Sequence, residues 1–590
     1  MADEPHSNVA ADMVPVLDAL RSVVNVQKQQ NETLESSNPF SKTLPSGLSF
    51  KNLPIPSMDR ILACLRIAHE HSPTEVYWPF EFGSLGDFTQ YVVKACSPGP
   101  VTDMELVIVH YGLHLLFTEC SGVLGDAIAK QEHEAQALIC RNSLETILSN
   151  LPFHISTSLD SLRAMYMATV YCLQRGKPFA AWAFISRASL MSQALGLHND
   201  HVMAIEPAEE AEKKIRLFWA LYVLEKAVSL RLGRPSTIRD RDITVPRPLL
   251  DRRMTSLLHN RLPDWVTVAS LYGRVHDHIY SPSALAQPVS IRESRTRALA
   301  SELERIIAAR SELYKRPDQW TSHVAHPVLR RFIIHANLAT DYSILAAIYR
   351  GIPAGKFSSF APCPECIAAA KAALKETELC ITTLGHAAPQ SSSLDLWVNE
   401  ILLLAPFMPF LILFCNIVRT SDPSDLAHLQ GLVESLQSMA QSPCYSACSK
   451  QLRIFKALYE VAAKYVEAKA RRRSMGMVDG RFTDFDINTH TNNDNVWCSA
   501  DSSSTLLFTA PEERSLDGDQ PLEAASSAGI TQDESQRFTN QMSDFQSCGS
   551  FLAMQSRVPD DLGTELDMSG VQLGSWFHQS HQMMGFLDDI

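Results

Sequence analysis

Residues 216–248, RLFWALYVLEKAVSLRLGRPSTIRDRDITVPRP, decide how this chain folds. Phe218, Leu221, Tyr222, Leu224 and Val228 recur at three- and four-residue steps, which places them along one face of a helix. That helix has a defined end. Gly233 suits the left-handed conformation that closes a helix, and Pro235 prevents an immediate restart. A polar loop carrying Asp240 and Asp242 then runs to alternating prolines. The stretch reads as a buried helix with a firm C-terminal cap, and nothing in it requires a catalytic group.

Working outward, residues 162–198, LRAMYMATVYCLQRGKPFAAWAFISRASLMSQALGLH, have the same texture. Tyr166, Val170 and Leu173 form one apolar face, and Trp182, Ile185, Ser189 and Ser192 begin another. Gly176 and Pro178 break the chain between them, so the segment predicts an antiparallel helix pair. From Leu53 to about Ala470 helical periodicity persists, with Pro, Gly and Ser breaks such as SPGP at 97–100 and SDPSD at 421–425. No strand-like alternation between hairpin turns stands out. The expected fold is all-α: a large multi-helix domain built of antiparallel helix pairs.

These two blocks carry a resemblance. Arg216, Phe218-Trp219, Leu221-Tyr222, Leu224-Glu225-Lys226, Gly233-Arg234-Pro235, Ile238, Asp240, Asp242-Ile243 and Val245 stand in the order of a known signature. It is the middle homology region of the fungal-specific transcription factor domain, found in binuclear zinc cluster regulators. Glu225 stands where that family usually has Asp, which keeps the charge. Trp182, Ala188 and the closing Leu195-Gly196-Leu197-His198 also sit at family positions, and residues 396–418 resemble its C-terminal helices. The resemblance covers roughly residues 50–465. It implies a nuclear transcription regulator, often of metabolic or secondary-metabolite gene clusters, and no enzyme. The signature residues themselves are expected to be structural, with Arg234 fixing the loop. A helical scaffold or adaptor without transcriptional output is the alternative. A cavity between the 162–198 pair and the 215–232 helix is where a small-molecule effector would be expected.

Members of that family carry a DNA reader near the N-terminus: cysteines in a basic segment that hold zinc. Here the first cysteine is Cys64, and residues 1–63 are not basic. The zinc reader is therefore expected to be lacking, and no residue is assigned a DNA contact, a cofactor or a metal. Three accounts fit: the reader is encoded upstream of this sequence, it has been lost, or DNA is reached indirectly through a DNA-bound partner regulator. Val16, Leu20, Val23, Gln27, Gln30 and Leu34 have heptad spacing within an otherwise extended segment 1–52, which suggests a short coiled coil and a homodimer.

Charge divides the chain. The net charge is −13, yet Met475–Ile590 holds 19 acidic residues against four arginines and no lysine, while the preceding 474 residues are nearly balanced. The body 53–474 is thus the regulatory domain, and 475–590 is an acidic tail too poor in apolar residues to form a core. Leu506-Leu507-Phe508, Phe551-Leu552, Trp576-Phe577 and Phe586-Leu587-Asp588-Asp589 interleave hydrophobic groups with acids. That composition suits a disordered activation segment that recruits the transcription machinery or a coactivator. Neither part has the basic balance of a direct nucleic-acid binder. Arg471, Arg472 and Arg473 end the last predicted helix and are read both as dipole-stabilised cations and as a nuclear localisation patch.

Other motifs are weaker. Cys363-Pro364-Glu365-Cys366 lacks a second ligand pair nearby, Cys444 and Cys448 are isolated, and a structural zinc site normally needs four ligands. His110 and His114 are one turn apart, but residue 111 is Tyr and the HExxH arrangement is missing. His69-Glu70-His71 and His276-Asp277-His278 stand equally alone. Thirteen scattered cysteines fit a reducing compartment. The apolar run 396–418 is long enough to raise a membrane reading, but Asn399, Glu400, Asn416, Pro406 and Pro409 favour a buried, kinked core helix and no membrane contact.

Overall fold

The computed structural model describes residues 40, 42–71, 85–249, 257–315, 327–352, 362–385, 406–440 and 448–474. The heptad segment, the acidic tail, Cys444 and residues 396–405 lie outside the described residues. Within them the regular structure is helical and contains no strand. The principal helices are α1 (Met58–His71), α2 (Leu85–Cys96), α3 (Asp103–Val123), α4 (Ala127–Ser149), α5 (Leu159–Gln174), α6 (Pro178–Ala194) and α7 (Ala208–Arg231). They are followed by α8 (Leu257–Val275), α9 (Val289–Tyr314), α10 (Pro327–Arg350), α11 (Pro364–Gly385), α12 (Phe407–Thr420), α13 (Pro423–Ala440) and α14 (Cys448–Ser474).

Four successive helices in the first half, α3 to α6, start on a local signal. Thr102 caps α3 through a reciprocal box: its hydroxyl accepts from the Glu105 N–H at 3.2 Å, and the Glu105 carboxylate accepts from the Thr102 N–H at 2.9 Å. Lys94 of α2 pairs with the same carboxylate at 2.6 Å. Asp126 and Ser158 cap α4 and α5, and α6 begins on Pro178, whose missing N–H costs nothing in a first turn. The tight turn between α5 and α6 runs through Gly176 at φ 62°.

Two interiors result. α1 to α7 surround one, in which Val107, Leu113, Leu144, Met165, Tyr171, Ile185 and Phe218 are essentially inaccessible. The second, formed by α9 to α14, holds Leu303, Phe332, Leu374, Phe410, Phe414 and Phe455. α8 belongs to both. Leu262, Val266 and Ala269 pack into the first interior, whereas Leu271 and Val275 enter the second.

α3 is the one helix among the described residues that is long and apolar enough to cross a membrane, yet 78% of that apolar window is buried within the protein. Its apolarity is explained by packing on nearly all sides. Within the described part of the run 396–418, α12 spans Phe407–Thr420 and has 14 residues. At about 1.5 Å per residue it falls short of a bilayer's hydrocarbon core of about 30 Å. Pro406 is the N-cap and Pro409 lies in the first turn, where neither removes an intrahelical hydrogen bond.

His110 and His114 face the interior. His110 is 1% exposed, its Nδ1 has no hydrogen-bond partner, and burial pushes its pKa down to about 4. His114 Nδ1 lies 3.1 Å from the Ala137 carbonyl, and burial lowers it equally. No cluster of three or more metal-ligating side chains occurs among the described residues. Cys366 is buried and donates to the Ala346 carbonyl at 3.4 Å.

The buried His110 sets an acid sensitivity. Its folded pKa lies below the unfolded value of about 6.5, so below that pH the unfolded chain takes up a proton that the folded state excludes. Stability from this group is complete above about pH 6.5 and is lost as pH falls toward about 4. The expected loss between about pH 7 and about pH 5 is about 2 kcal/mol. Urea unfolding of His110→Leu at both pH values checks it, because that variant should lose this part of the slope.

Candidate functional site

The signature stretch forms the C-terminal half of α7 and the loop that folds back along it. Phe218 and Leu221 are fully buried, and Trp219 and Tyr222 nearly so. Phe218, Trp219 and Tyr222 form a ladder of edge-on rings with centroids 5.3 and 5.2 Å apart. At the helix end Gly233 has φ 60°. Its N–H donates to the Leu230 carbonyl at 3.0 Å, and the Arg234 N–H donates to Ser229 at 2.9 Å. This is the paired Schellman closure, which satisfies carbonyls that a helix end otherwise leaves open.

Beyond the cap the chain is pinned to α6. The Arg234 guanidinium lies 4.0 Å from the Trp182 ring centroid and 5.4 Å from that of Phe179. Pro235 is exposed, and the next two residues turn inward to Glu225. The Glu225 carboxylate is wholly buried and accepts four hydrogen bonds. They come from the Ser229 hydroxyl at 3.0 Å, the Ser236 hydroxyl at 2.6 Å, and the N–H and hydroxyl of Thr237 at 2.7 and 3.0 Å. The Thr237 hydroxyl also lies 2.9 Å from the Ser189 hydroxyl of α6, which can donate to it. A buried charge is tolerable here because donors replace the lost water.

Lys226, the next residue, serves the second half of the loop. Its ammonium donates to the Ile238 carbonyl at 2.7 Å and pairs with Asp240 at 2.9 Å, while lying 5.2 Å from the Tyr222 ring centroid. The Tyr222 hydroxyl donates to Asp240 at 2.9 Å, and burial together with that carboxylate pushes its pKa far up, so it stays a donor. Gly273 of α8 makes room for Lys226, since a Cβ there would meet Nζ at 3.0 Å. Farther along, Trp219 Nε1 donates to the Pro246 carbonyl at 2.8 Å, and Thr244 and Val245 bond back to His198.

Thus Trp219, Tyr222, Gly233, Arg234 and Asp240 converge on one loop. Arg216 instead pairs along the helix with Glu212 at 2.5 Å, and Asp242 is exposed, 3.8 Å from Arg241. Where an effector cavity was expected, Ile185 of α6 and Leu221 of α7 are wholly buried and Ser189 of α6 meets Thr237; we place no ligand there. Arg471 pairs with Glu467 at 2.6 Å on α14, and the side chains of Arg472 and Arg473 lie outside the described residues.

Sequence reading missed a second buried polar cluster, between α8, α9 and α10. Arg310 Nε donates to Asp264 at 2.9 Å and its Nη1 to Asp341, while Arg261 reaches Asp264 at 2.5 Å. The Arg310 and Asp341 side chains are 4% and 2% exposed, so this pair is effectively out of water. Burial raises the Asp341 pKa against the lowering pull of Arg310. A signal existed: Leu303, Ile307 and Arg310 follow the four- and three-residue steps of one buried face.

Replacing Arg234 tests the stacked contact. Arg234→Ala is expected to cost about 1 kcal/mol, and Arg234→Lys to recover less than half, because an ammonium does not stack as a planar guanidinium does. Equal stability of the Lys variant and the parent in urea titrations would refute this.

Residues 103–321 match the family model described as the fungal specific transcription factor domain. An uncharacterized transcriptional regulatory protein of Schizosaccharomyces pombe is 25% identical over 373 residues, covering 58% of this chain and 55% of its own. The ABC-transporter-regulating transcription factor of Aspergillus fumigatus is 23% identical over 396 residues, covering 60% of this chain and 42% of its own. Protein STB5 of Saccharomyces cerevisiae is 28% identical over 173 residues, covering 27% of this chain and 22% of its own. The chain thus spans about half the length, or less, of these curated relatives. No solved structure matches it.

Proposed function

Because residues 103–321 are a fungal specific transcription factor domain, we propose that this chain is a transcription regulator of the fungal type. The observation that carries the reading is the family match over α3 to α9, which includes the whole signature loop. In this reading residues 53–474 are the regulatory body, and the acidic tail 475–590 recruits the transcription machinery or a coactivator. The protein acts in the nucleus, with Arg471, Arg472 and Arg473 contributing to import. DNA is contacted directly or through a DNA-bound partner regulator, and no catalytic step is involved. The relatives include a factor named for regulating an ABC transporter, which supports control of a metabolic or export-linked gene set.

The experiment fuses residues 475–590, and separately the whole chain, to an unrelated DNA-binding module upstream of a reporter. Activation by the tail fusion is the expected result. Silence of the tail with activity of the whole chain would move the activating surface into the helical body. Silence of both, with a cytoplasmic location of the native chain, would favour a scaffold.

A further inference from the structure

An open cleft of about 450 Å³ lies where α9, α10 and α11 meet. That volume is within the range of small-molecule sites, roughly 300–1,000 Å³. The cleft exists because Ala308 of α9 and Ala368 and Ala369 of α11 stand where larger side chains would close the gap. Ile307 and Leu345, both buried, give it an apolar floor. Its charged groups share one sign. Both charged side chains that line it, Glu304 and Glu365, are carboxylates, and no Lys or Arg lines it.

These two acids differ in what already holds them. Glu365 is 3.9 Å from Arg297. Glu304 has no basic partner among the described residues; the Tyr349 hydroxyl donates to its Oε1 at 2.6 Å and fixes the carboxylate at the cleft edge. Burial and the hydrogen bond to Glu304 raise the Tyr349 pKa, so the phenol remains a donor to that carboxylate. An apolar floor beside an oriented anion without a counter-ion is complementary to one kind of guest, a cation with an apolar body.

We propose that this cleft binds a small organic amine in its ammonium form, with the cation at Glu304 and the apolar body on Ile307 and Leu345. None of the lining residues belongs to the signature loop, so the cleft stands apart from the transcriptional reading.

Saturation-transfer NMR on the full chain tests the proposal with phenylbutylammonium and its neutral counterpart phenylbutanol. The amine should bind about fivefold more tightly than the alcohol, the most that one exposed ion pair usually supplies. Glu304→Gln should remove that preference and leave the alcohol unchanged. Ala308→Trp, at an exposed position, should abolish saturation of both probes by filling the cleft. Circular dichroism should match the parent for both variants. Absence of saturation in the parent, equal binding of amine and alcohol, or amine binding that survives Ala308→Trp would each overturn the proposal.

Discussion

Glu225→Gln is expected to destabilise the helical body by about 3 kcal/mol, although it changes no volume. The carboxylate accepts from four donors and donates to none, so its two oxygens are matched to their surroundings. An amide would set its NH₂ against the Ser236 hydroxyl or the Thr237 donors and leave them unsatisfied in a buried place. Glu225→Asp keeps the charge but is one methylene shorter; it should fall between the parent and the amide because part of the loop must shift to reach it. Urea unfolding followed by circular dichroism gives the comparison. Glu225→Gln within about 0.5 kcal/mol of the parent would show that the charge at this site is not what holds the loop.

Arg310→Met is the other large effect, at about 3–5 kcal/mol. It strands Asp341, which is 2% exposed, while Asp264 retains Arg261. Removing one member of a buried pair costs more than the pair contributes, since the remaining charge stays desolvated. Two signatures distinguish this from simple loss of packing. Asp341 already has a raised pKa, and without Arg310 it rises further, so the deficit should narrow as pH is lowered and the carboxyl takes a proton. The double variant Arg310→Met/Asp341→Leu should recover most of the loss. A double variant as unstable as Arg310→Met alone would place the cost in the shape of the site.

How much of this was legible beforehand depends on the range over which each feature is encoded. The helical architecture was, because Phe218, Leu221 and Val228 or Tyr166, Val170 and Leu173 state their periodicity within a few turns. The end of α7 was too, because a Schellman closure is made by residues 229–234 alone. The Glu225–Thr237 contacts were not derivable from periodicity. The signature drew attention to Glu225 and Lys226 together, but only the folded loop shows them facing different partners. Arg310 and Asp341 lie 31 residues apart, and a periodicity pattern cannot say which two charges will meet. Pro406 and Pro409 could not be placed from composition alone, because their effect depends on where the helix begins. Once α12 starts at Phe407, both prolines are where helices begin.

The placement of α8 has a practical consequence for dissecting the protein. Its first half completes one interior and its second half completes the other. A fragment ending before Leu257 forfeits Leu262, Val266 and Ala269, and one starting after Val275 forfeits Leu271 and Val275. Either truncation would expose an apolar trough and favour aggregation. The border between the halves crosses a single helix near Ser270, so a cut on either side of that helix leaves one interior incomplete. Opening of either half must loosen the other, and hydrogen exchange along α8 should report them as one cooperative unit.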